Sequence, residues 1–410
     1  MKKPELLAPA GTMEKLDYAI RYGADAVYLG GPAFGLRTSA GNFSLPELAR
    51  ALRRCHDSGV RCYLTVNSYA PDSSLAQLEQ YLQYLADLPF DAYIISDPGV
   101  LRMVRRISPE RELHLSTQAN TINHEAALFW QDQGISRINL AREMTLADIS
   151  TTAAALTIPC EVFVHGALCI AYSGRCLLSS AMTGRSANQG ACTQPCRWKY
   201  ALVEETRPGE YYPVVEENNT TLVFNSRDLC LLEQLPELLR AGVGALKIEG
   251  RMKGIHYLAG VLRVYRAALD ALCADPDTWH PDPAWLEELN SLSHRGYTTG
   301  FLFGDPRAVG QSYQGGYQRS HQLVASVEGR NDSGDGVVLV RNRFHAGDRL
   351  ELIGPAMKRA TVTAAPLRAL DPETAVQVLD TVHPNMRVLI PLPPEAAAGD
   401  LLRLAAGSSF

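Results

Sequence analysis

Residues 5–31 read ELLAPAGTMEKLDYAIRYGADAVYLGG and contain one complete structural unit. The apolar runs ELLAPAG and DAVYLGG have the length and composition of buried β-strands, and MEKLDYAIRYG between them has the spacing of an amphipathic helix that ends in glycine. A strand, a helix and a second strand in this order are typical of a βαβ unit, whose two strands are parallel. The pattern therefore predicts an α/β fold.

The same alternation continues to residue 166 and returns once more after a long interruption. Amphipathic stretches separate the runs, with Ser44 and Thr145 at N-cap positions. Eight such units favour a closed, TIM-like (β/α)8 barrel over an open doubly wound sheet. The further strand candidates are RCYLTVN (61–67), DAYIISD (91–97), ELHLSTQ (112–118), RINLARE (137–143), CEVFVHG (160–166) and ALKIEG (245–250).

The C-terminal part of the chain has a different pattern. Apolar and polar residues alternate there between turn segments such as NDSGDG and HAGD, which is typical of antiparallel strands. We therefore predict a barrel domain over residues 1–312, with a cysteine-rich insertion at 166–232, and a small all-β, barrel-like domain over residues 313–410. A domain of this last kind binds nucleic acid in some proteins and only packs or dimerises in others, and the sequence leaves both open.

Composition narrows the class of protein. The chain has 410 residues with a net charge of −5, which argues against nonspecific coating of nucleic acid but allows a local basic patch. The N-terminus has no apolar run that would serve as a signal peptide, and no window approaches the roughly 18 apolar residues that span a bilayer. We expect a cytoplasmic protein that does not enter a membrane.

Polar side chains stand at the ends of the predicted barrel strands. Barrel enzymes carry their active sites at the C-terminal ends of the strands, so a set of polar residues there indicates a site, although any single one could merely end a strand. The residues concerned are Asn67, Asp97, Gln118, Asn120, Arg142, Glu143, His165, Glu249 and Arg251.

Five of the nine cysteines lie in the insertion, at positions 169, 176, 192, 196 and 230. Structural disulfides are rare in the cytoplasm, so clustered cysteines there favour metal or redox chemistry. Only Cys192 and Cys196 have the short spacing typical of zinc sites. Single thiolates from separate loops suit an iron–sulfur cluster better.

The positive charge of the insertion also favours an anionic ligand. Residues 165–203 contain Arg175, Arg185, Arg197 and Lys199 and no Asp or Glu. That excess could serve a cluster, a carboxylate substrate or the phosphates of RNA.

Several motifs together resemble those of the peptidase U32 family, and the resemblance covers nearly the whole chain. The most specific block is EVFVHGALCIAYSGRCLLSS, which contains Cys169 and Cys176. Other matching blocks are ELLAPAG, GADAVYLGG, FGLRTSAGNFS, LAREMTL, NQGACTQPCRWKY, NSRDLC, LKIEGRMK, HRGYTTGFLFG and NRFHAGDRLELIGP.

The resemblance implies a cofactor and an activity. Members of the hydroxylase branches hold a [4Fe–4S] cluster on four cysteines, and the matching positions here are Cys169, Cys176, Cys192 and Cys230, with Cys196 as an alternative third ligand. The branch with this domain layout is associated with oxygen-independent 5-hydroxylation of the wobble uridine of tRNA, with prephenate implicated as the hydroxyl source. Related members work as heterodimers, which implies a possible paralogous protein partner.

Three functions remain open at this stage. The first is the tRNA hydroxylase, or the related branch that acts on a cytidine of large ribosomal RNA. The second is a peptidase, for which Cys169 and His165 could form a nucleophile and base. The third is a non-enzymatic RNA-binding or assembly module whose cluster is structural.

Candidate roles follow for single residues under the hydroxylase hypothesis. Arg142 and Arg251 could bind a dicarboxylate such as prephenate, or could pair with Glu143 and Glu249. His165 and Glu249 are candidates for proton transfer, although His165 could also only hydrogen-bond beside the cluster. Two aromatic residues could stack on a flipped uridine or simply pack: Tyr172 and Trp198.

Overall fold

The computed structural model describes residues 3–36, 41–169, 171–198, 226–304, 317–370 and 378–405. The predicted barrel is confirmed. Its strands and the two short strands beside it are β1 (Glu5–Pro9), β2 (Ala26–Gly30), β3 (Arg61–Val66), β4 (Ala92–Ile95), β5 (Leu113–Leu115), β6 (Arg137–Asn139), β7 (Cys160–Ala167), β8 (Asp228–Cys230), β9 (Val243–Ile248) and β10 (Tyr297–Thr298).

Eight parallel strands close the barrel. The strands β1 to β7 pair in order, and β9 pairs in parallel with both β7 and β1. The closing pairs include Leu7 with Lys247 and Val162 with Leu246. All eight predicted strand runs overlap one of these strands, so the sequence pattern located the complete barrel.

Two short strands at the barrel mouth were not predicted. β8 pairs antiparallel with β7, placing Cys230 opposite His165, and β10 pairs with β8. Strands of three and two residues carry too little apolar periodicity to be recognised in sequence.

Helices cover the outside of the barrel. Ser44 and Thr145 start two of them with capping boxes, as the sequence indicated, and Asp97 caps a third by accepting hydrogen bonds from Gly99 N and Val100 N. In the described residues, no helix is long and apolar enough to cross a membrane. The helices are α1 (Met13–Arg21), α2 (Leu45–His56), α3 (Leu75–Ala86), α4 (Pro98–Ile107), α5 (His124–Asp132), α6 (Leu146–Ala155), α7 (Leu178–Thr183), α8 (Leu235–Arg240), α9 (Ile255–Ala274) and α10 (Pro283–Ser291).

The C-terminal region is an all-β domain of antiparallel sheets, as predicted. Its strands are β11 (His321–Arg330), β12 (Gly336–Val340), β13 (Phe344–His345), β14 (Arg349–Ile353), β15 (Arg359–Thr363), β16 (Leu367–Ala369), β17 (Val378–Leu379), β18 (Thr381–Val382), β19 (Arg387–Ile390) and β20 (Leu401–Ala405). One sheet has the order β15-β14-β20-β11-β12-β19-β16-β17, and β13 pairs with β18 in a second.

The β domain packs tightly on α9 and α10. Arg403 of β20 is buried and donates to Glu288 Oε2 at 2.7 Å and to Ser291 Oγ at 2.9 Å. Arg263 of α9 donates to the carbonyl of Lys358 at 2.7 Å. Buried charges require partners, and these bonds supply them where the β domain meets α9 and α10.

A layer of charged side chains crosses the barrel interior. Arg137 binds Glu5 at 2.6 Å, and Lys247 binds Glu161 at 2.7 Å. Burial alone would raise the pKa of Glu161, but Lys247 and Arg137 hold it below its usual value. Glu161 therefore stays ionised, and Lys247 forms part of the floor beneath the mouth.

Candidate active site

A cavity of about 140 Å³ opens at the C-terminal ends of the barrel strands. Residues that follow five different strands line it, together with side chains of the insertion. The strand-end residues predicted from the sequence that reach this cavity are Asn67, Gln118, Arg142, Glu249 and Arg251.

The insertion is attached to the barrel loops by several hydrogen bonds. Ser173 N donates to Glu143 Oε1 at 2.9 Å, and Tyr69 Oη donates to the carbonyl of Gly174 at 2.8 Å. The side chain of Asn188 donates to the carbonyl of Cys176 at 3.2 Å, and Tyr69 N donates to the carbonyl of Asn188. These bonds place the first part of the insertion over the cavity.

Gly174 allows this close approach. Its φ is +74°, and a Cβ built there would lie 2.1 Å from the carbonyl oxygen of Gln118. Only glycine accommodates both the left-handed backbone and the contact, so the loop between Cys169 and Cys176 can lie directly against the loop after β5.

Four cysteines of the insertion line the cavity: Cys169, Cys176, Cys192 and Cys196. Burial raises the pKa of the Cys196 thiol, Arg197 opposes the rise, and the other three thiols add to it. The structure thus brings together three of the four positions implied by the resemblance and adds the alternative ligand, Cys196.

Cys230 does not line this cavity. It lies on β8 with its Sγ 3.9 Å from the hydroxyl of Tyr265 on α9, packed against the barrel core. Burial raises the pKa of its thiol to about 11. It is therefore placed as a partly buried thiol on the strand beside His165.

The donor set suits an iron–sulfur cluster in residue type and number. In the part of the chain described, no group of three or more His, Cys, Asp or Glu side chains is close enough to hold a metal ion. A four-iron cluster binds each thiolate at a different iron, so its ligands do not have to surround one ion. Four thiols that line one cavity match the number of ligands that such a cluster takes, whereas a single-ion site would need them closer together.

His165 is enclosed rather than open to the cavity. It is 1% exposed and is surrounded by the rings of Tyr257, Tyr265 and Tyr297, with centroids 5.3 to 5.9 Å away. Burial lowers its pKa to about 3. Its Nδ1 lies 3.4 Å from Tyr265 Oη, and its Nε2 has no hydrogen-bond partner among the described residues.

A buried ion pair lies close to His165. Asp228 and Arg295 are joined at 2.5 Å, and both side chains are almost fully buried. Cys169 is exposed, and no hydrogen bond joins it to His165 in the described part of the chain. The pair that a cysteine peptidase needs is therefore not assembled here.

Arg142 reaches the cavity without the partner that the sequence suggested. Glu143 accepts hydrogen bonds from Ser173 instead. The guanidinium of Arg142 lies 4.0 Å from the centroid of the Phe163 ring, and its buried Nε has no partner among the described residues. The side chain is thus held by its ring contact and can donate to an anion.

Arg251 and Glu249 also differ from the suggested pairing. Arg251 is buried and donates to Asn42 Oδ1 at 3.0 Å, to Thr65 Oγ1 at 3.3 Å and to the carbonyl of Leu36. Glu249 accepts from Tyr28 Oη at 3.3 Å. Arg251 therefore ties the loop before α2 to the barrel, and Glu249 is held at the cavity wall.

Sequence reasoning missed Lys247. Its ammonium group lines the cavity floor, 2.7 Å from Glu161 and 4.5 Å from the centroid of the Tyr28 ring. A lysine within the otherwise apolar run ALKIEG was the available signal, because a charged residue in a buried strand requires a partner.

The remaining aromatic and cationic candidates are distributed as follows. Tyr172 lines the cavity and is 59% exposed, and Trp198 is exposed but does not line it. Arg175 and Arg185 are exposed, and Arg197 is partly buried. Lys199 lies outside the described residues.

Comparison with known proteins gives consistent matches. The model of peptidase family U32 matches residues 11–312, and the model of the peptidase family U32 C-terminal domain matches residues 319–403. The chain is 40% identical to tRNA hydroxylation protein P1 of Bacillus subtilis over 88% of its own length and 86% of that protein.

Two relatives from Escherichia coli illustrate the range. The chain is 38% identical to tRNA hydroxylation protein P over 87% of each protein. It is 36% identical to 23S rRNA 5-hydroxycytidine C2501 synthase over 75% of this chain and 48% of that protein.

Proposed function

The chain belongs to peptidase family U32, and from this premise we propose that it is an enzyme that hydroxylates tRNA. The reaction that we propose is the oxygen-independent 5-hydroxylation of the wobble uridine, with a [4Fe–4S] cluster and with prephenate as hydroxyl source. The relatives named as tRNA hydroxylation proteins match both domains of this chain, which supports tRNA over ribosomal RNA as the substrate.

One observation carries the proposal: the thiols of Cys169, Cys176, Cys192 and Cys196 line a single cavity at the mouth of the barrel. We assign the cluster to these four residues and exclude Cys230 from the ligand set. A cluster bound there would supply electron transfer beside the substrate. Cys230 lies outside this cavity, and its Sγ is 3.9 Å from the hydroxyl of Tyr265 instead.

The other cavity residues would bind and orient the substrates. Arg142 presents a guanidinium without a carboxylate partner among the described residues, so it can pair with a carboxylate of the co-substrate. Tyr172 lies exposed at the same wall, where it can stack on a uracil turned out of the anticodon loop. Glu249, held by Tyr28, is the acidic group placed to accept a proton.

The cluster is tested with protein purified without oxygen. We expect about four iron and four sulfide per chain, together with broad visible absorbance. Cys196→Ser should lose most of the iron, and the matched variant Cys230→Ser should keep it. If Cys230→Ser loses the iron while Cys196→Ser retains it, the ligand assignment is wrong.

The reaction is tested in a strain that lacks its own tRNA hydroxylation protein. Expression of this chain should restore 5-hydroxyuridine derivatives in digested tRNA, and Cys196→Ser should not. Cytidine hydroxylation in 23S rRNA is measured in the same cells. If only the rRNA product is restored, the substrate is ribosomal RNA and not tRNA. If neither product is restored and the purified protein cleaves gelatin, the result favours a peptidase.

A further inference from the structure

A second cavity, of about 530 Å³, lies between the barrel and the C-terminal β domain. We call it the interdomain groove. Its walls come from residues 194–197 of the insertion, from residues 249–257 at the start of α9, and from residues 317–323. Glu249 lines both cavities, so the groove adjoins the candidate active site.

The lining of the groove is strongly biased towards positive charge. Arg197, Lys253 and Arg319 line it, and Glu249 is the sole acidic residue among its described lining side chains. Arg319 is exposed and forms no ion pair with the described residues. In a chain with a net charge of −5, this local excess indicates an anionic ligand.

The N-terminus of α9 adds to the positive potential. The helix is 20 residues long, and its N-cap residue, Gly254, has no side chain with which to cap the first turn. Gly254 and Ile255 both line the groove. The amide groups and dipole of a long helix therefore point towards the same space as the three cations.

Lys253 is held in place by aromatic rings. Its Nζ donates to the carbonyl of Ser293 at 3.0 Å and lies 4.2 Å from the centroid of the Tyr317 ring and 5.0 Å from that of Tyr257. Burial, with Arg295 and Arg197 nearby, lowers its pKa to about 8 although Asp228 opposes this. An anion in the groove would stabilise the charged form.

Tyr317 provides an aromatic surface beside these cations. It is 49% exposed, and its hydroxyl accepts from Arg197 Nη1 at 3.4 Å. Exposed aromatic rings interleaved with cations are typical of surfaces that bind single-stranded nucleic acid, since bases stack on the rings while the cations contact phosphates.

We propose that the interdomain groove binds the phosphate backbone of the single-stranded RNA loop whose base enters the candidate active site. Cations from three separate elements of both domains suit a continuous strand, whereas a small carboxylate needs only one convergent pair. This inference rests on the proposed function, because it takes RNA as the substrate.

The test measures binding of a fluorescein-labelled decamer of uridine RNA to the full-length protein. Three phosphate contacts give a salt slope of about 2, so affinity falls roughly 20-fold when salt rises fourfold. In Arg319→Ala one contact is lost, and the same change in salt lowers affinity only about sevenfold. Arg319→Glu should bind about tenfold or more weakly than the wild type at low salt.

Arg102→Glu is the matched control. Arg102 is exposed on α4, which follows a strand four positions away from β9 around the barrel. The Arg102→Glu variant should bind the decamer as tightly as the wild type. The proposal is overturned if Arg319→Glu binds like the wild type, or if Arg102→Glu weakens binding to the same extent.

Two further measurements distinguish an RNA site from a small-anion site and separate this inference from the proposed function. Inorganic phosphate at equal ionic strength should compete poorly with the decamer; equal competition per phosphate would indicate a small-anion site and overturn the RNA assignment. Hydroxylated nucleosides are measured alongside. Normal hydroxylation by Arg319→Glu would refute RNA binding in the groove and leave the proposed function intact. RNA binding that depends on Arg319, in a wild type that does not hydroxylate RNA, would refute the proposed function and leave the groove as an RNA-binding site.

Discussion

Replacing Gly174 by alanine tests whether the first cysteine loop must lie against the barrel. The added Cβ would lie 2.1 Å from the carbonyl oxygen of Gln118, and the residue has a φ of +74°. The left-handed conformation alone costs an alanine about 1 kcal/mol, and the overlap with backbone adds about 1–3 kcal/mol because neither loop can move freely. We therefore expect Gly174→Ala to lower the free energy of unfolding by about 2–4 kcal/mol.

Gly184→Ala in the same insertion is the matched control. Gly184 also has a left-handed backbone, with a φ of +69°, but nothing lies within 4 Å of its added Cβ. Gly184→Ala should lower the free energy of unfolding by only about 1 kcal/mol, which is the cost of the left-handed backbone conformation. Denaturant titration of both variants gives the free energies, and iron content reports the effect on Cys176, two residues from Gly174.

Equal losses of stability in the two variants, within the usual scatter of about 0.5 kcal/mol for independent sites, would show that the contact with Gln118 contributes nothing. The contact would also have no role at the cysteines if Gly174→Ala lost the expected stability but kept full iron content and hydroxylation. In that case the loop contact would stabilise the fold without positioning the cysteines.

Four other changes have defined outcomes. Arg142→Gln should raise the KM for the carboxylate co-substrate about tenfold with a smaller fall in kcat, because one charge-assisted contact is lost; steady-state kinetics measure this. Tyr172→Ala should weaken hydroxylation of tRNA several-fold and Tyr172→Phe should retain it, if the ring stacks on the base; nucleoside analysis compares the two. Asp228→Asn should lower the free energy of unfolding by about 3–5 kcal/mol in denaturant titration, because it removes the charge that Arg295 binds in a buried ion pair. Burial lowers the pKa of His165 to about 3, whereas an unfolded histidine titrates near 6.5. Below pH 6.5 the unfolded chain therefore binds a proton at this residue that the folded chain does not. His165 should thus lower the free energy of unfolding by about 2 kcal/mol between about pH 7 and pH 5. Titrations at several pH values check this last prediction, and His165→Phe should remove the contribution of His165 to the pH slope while His256, whose pKa burial also lowers to about 3, keeps its own.

The barrel was predictable because its signal repeats. Each strand is a short apolar run that ends in a polar residue, and a closed barrel brings all those ends to one edge. Asn67, Gln118 and Glu249 follow three different strands and meet at the cavity for that reason. Their convergence required only the order of the elements, which the sequence pattern contains.

The partners of the charged residues were less predictable. Arg142 next to Glu143 suggests a pair, but the backbone of Ser173, 30 residues away, takes the carboxylate. Arg251 similarly binds Asn42 and Thr65 rather than Glu249. Neighbours along a chain compete with groups that the fold brings close, and only the positions of the loops decide between them.

The environment of Cys230 is a further feature that the sequence alone does not predict. The resemblance implies Cys230 as one ligand and leaves Cys192 and Cys196 as alternatives for another, and sequence spacing alone does not show which of these thiols share a cavity. The deciding feature is the antiparallel pairing of β8 with β7, which sets Cys230 opposite His165 and directs its sulfur to Tyr265. Side chains of a strand alternate between its two faces, so a shift of β8 by one residue would exchange the environments of Cys230 and Leu229. We propose that the ligand set follows from the register of this three-residue strand, and the iron contents of Cys196→Ser and Cys230→Ser test that proposal.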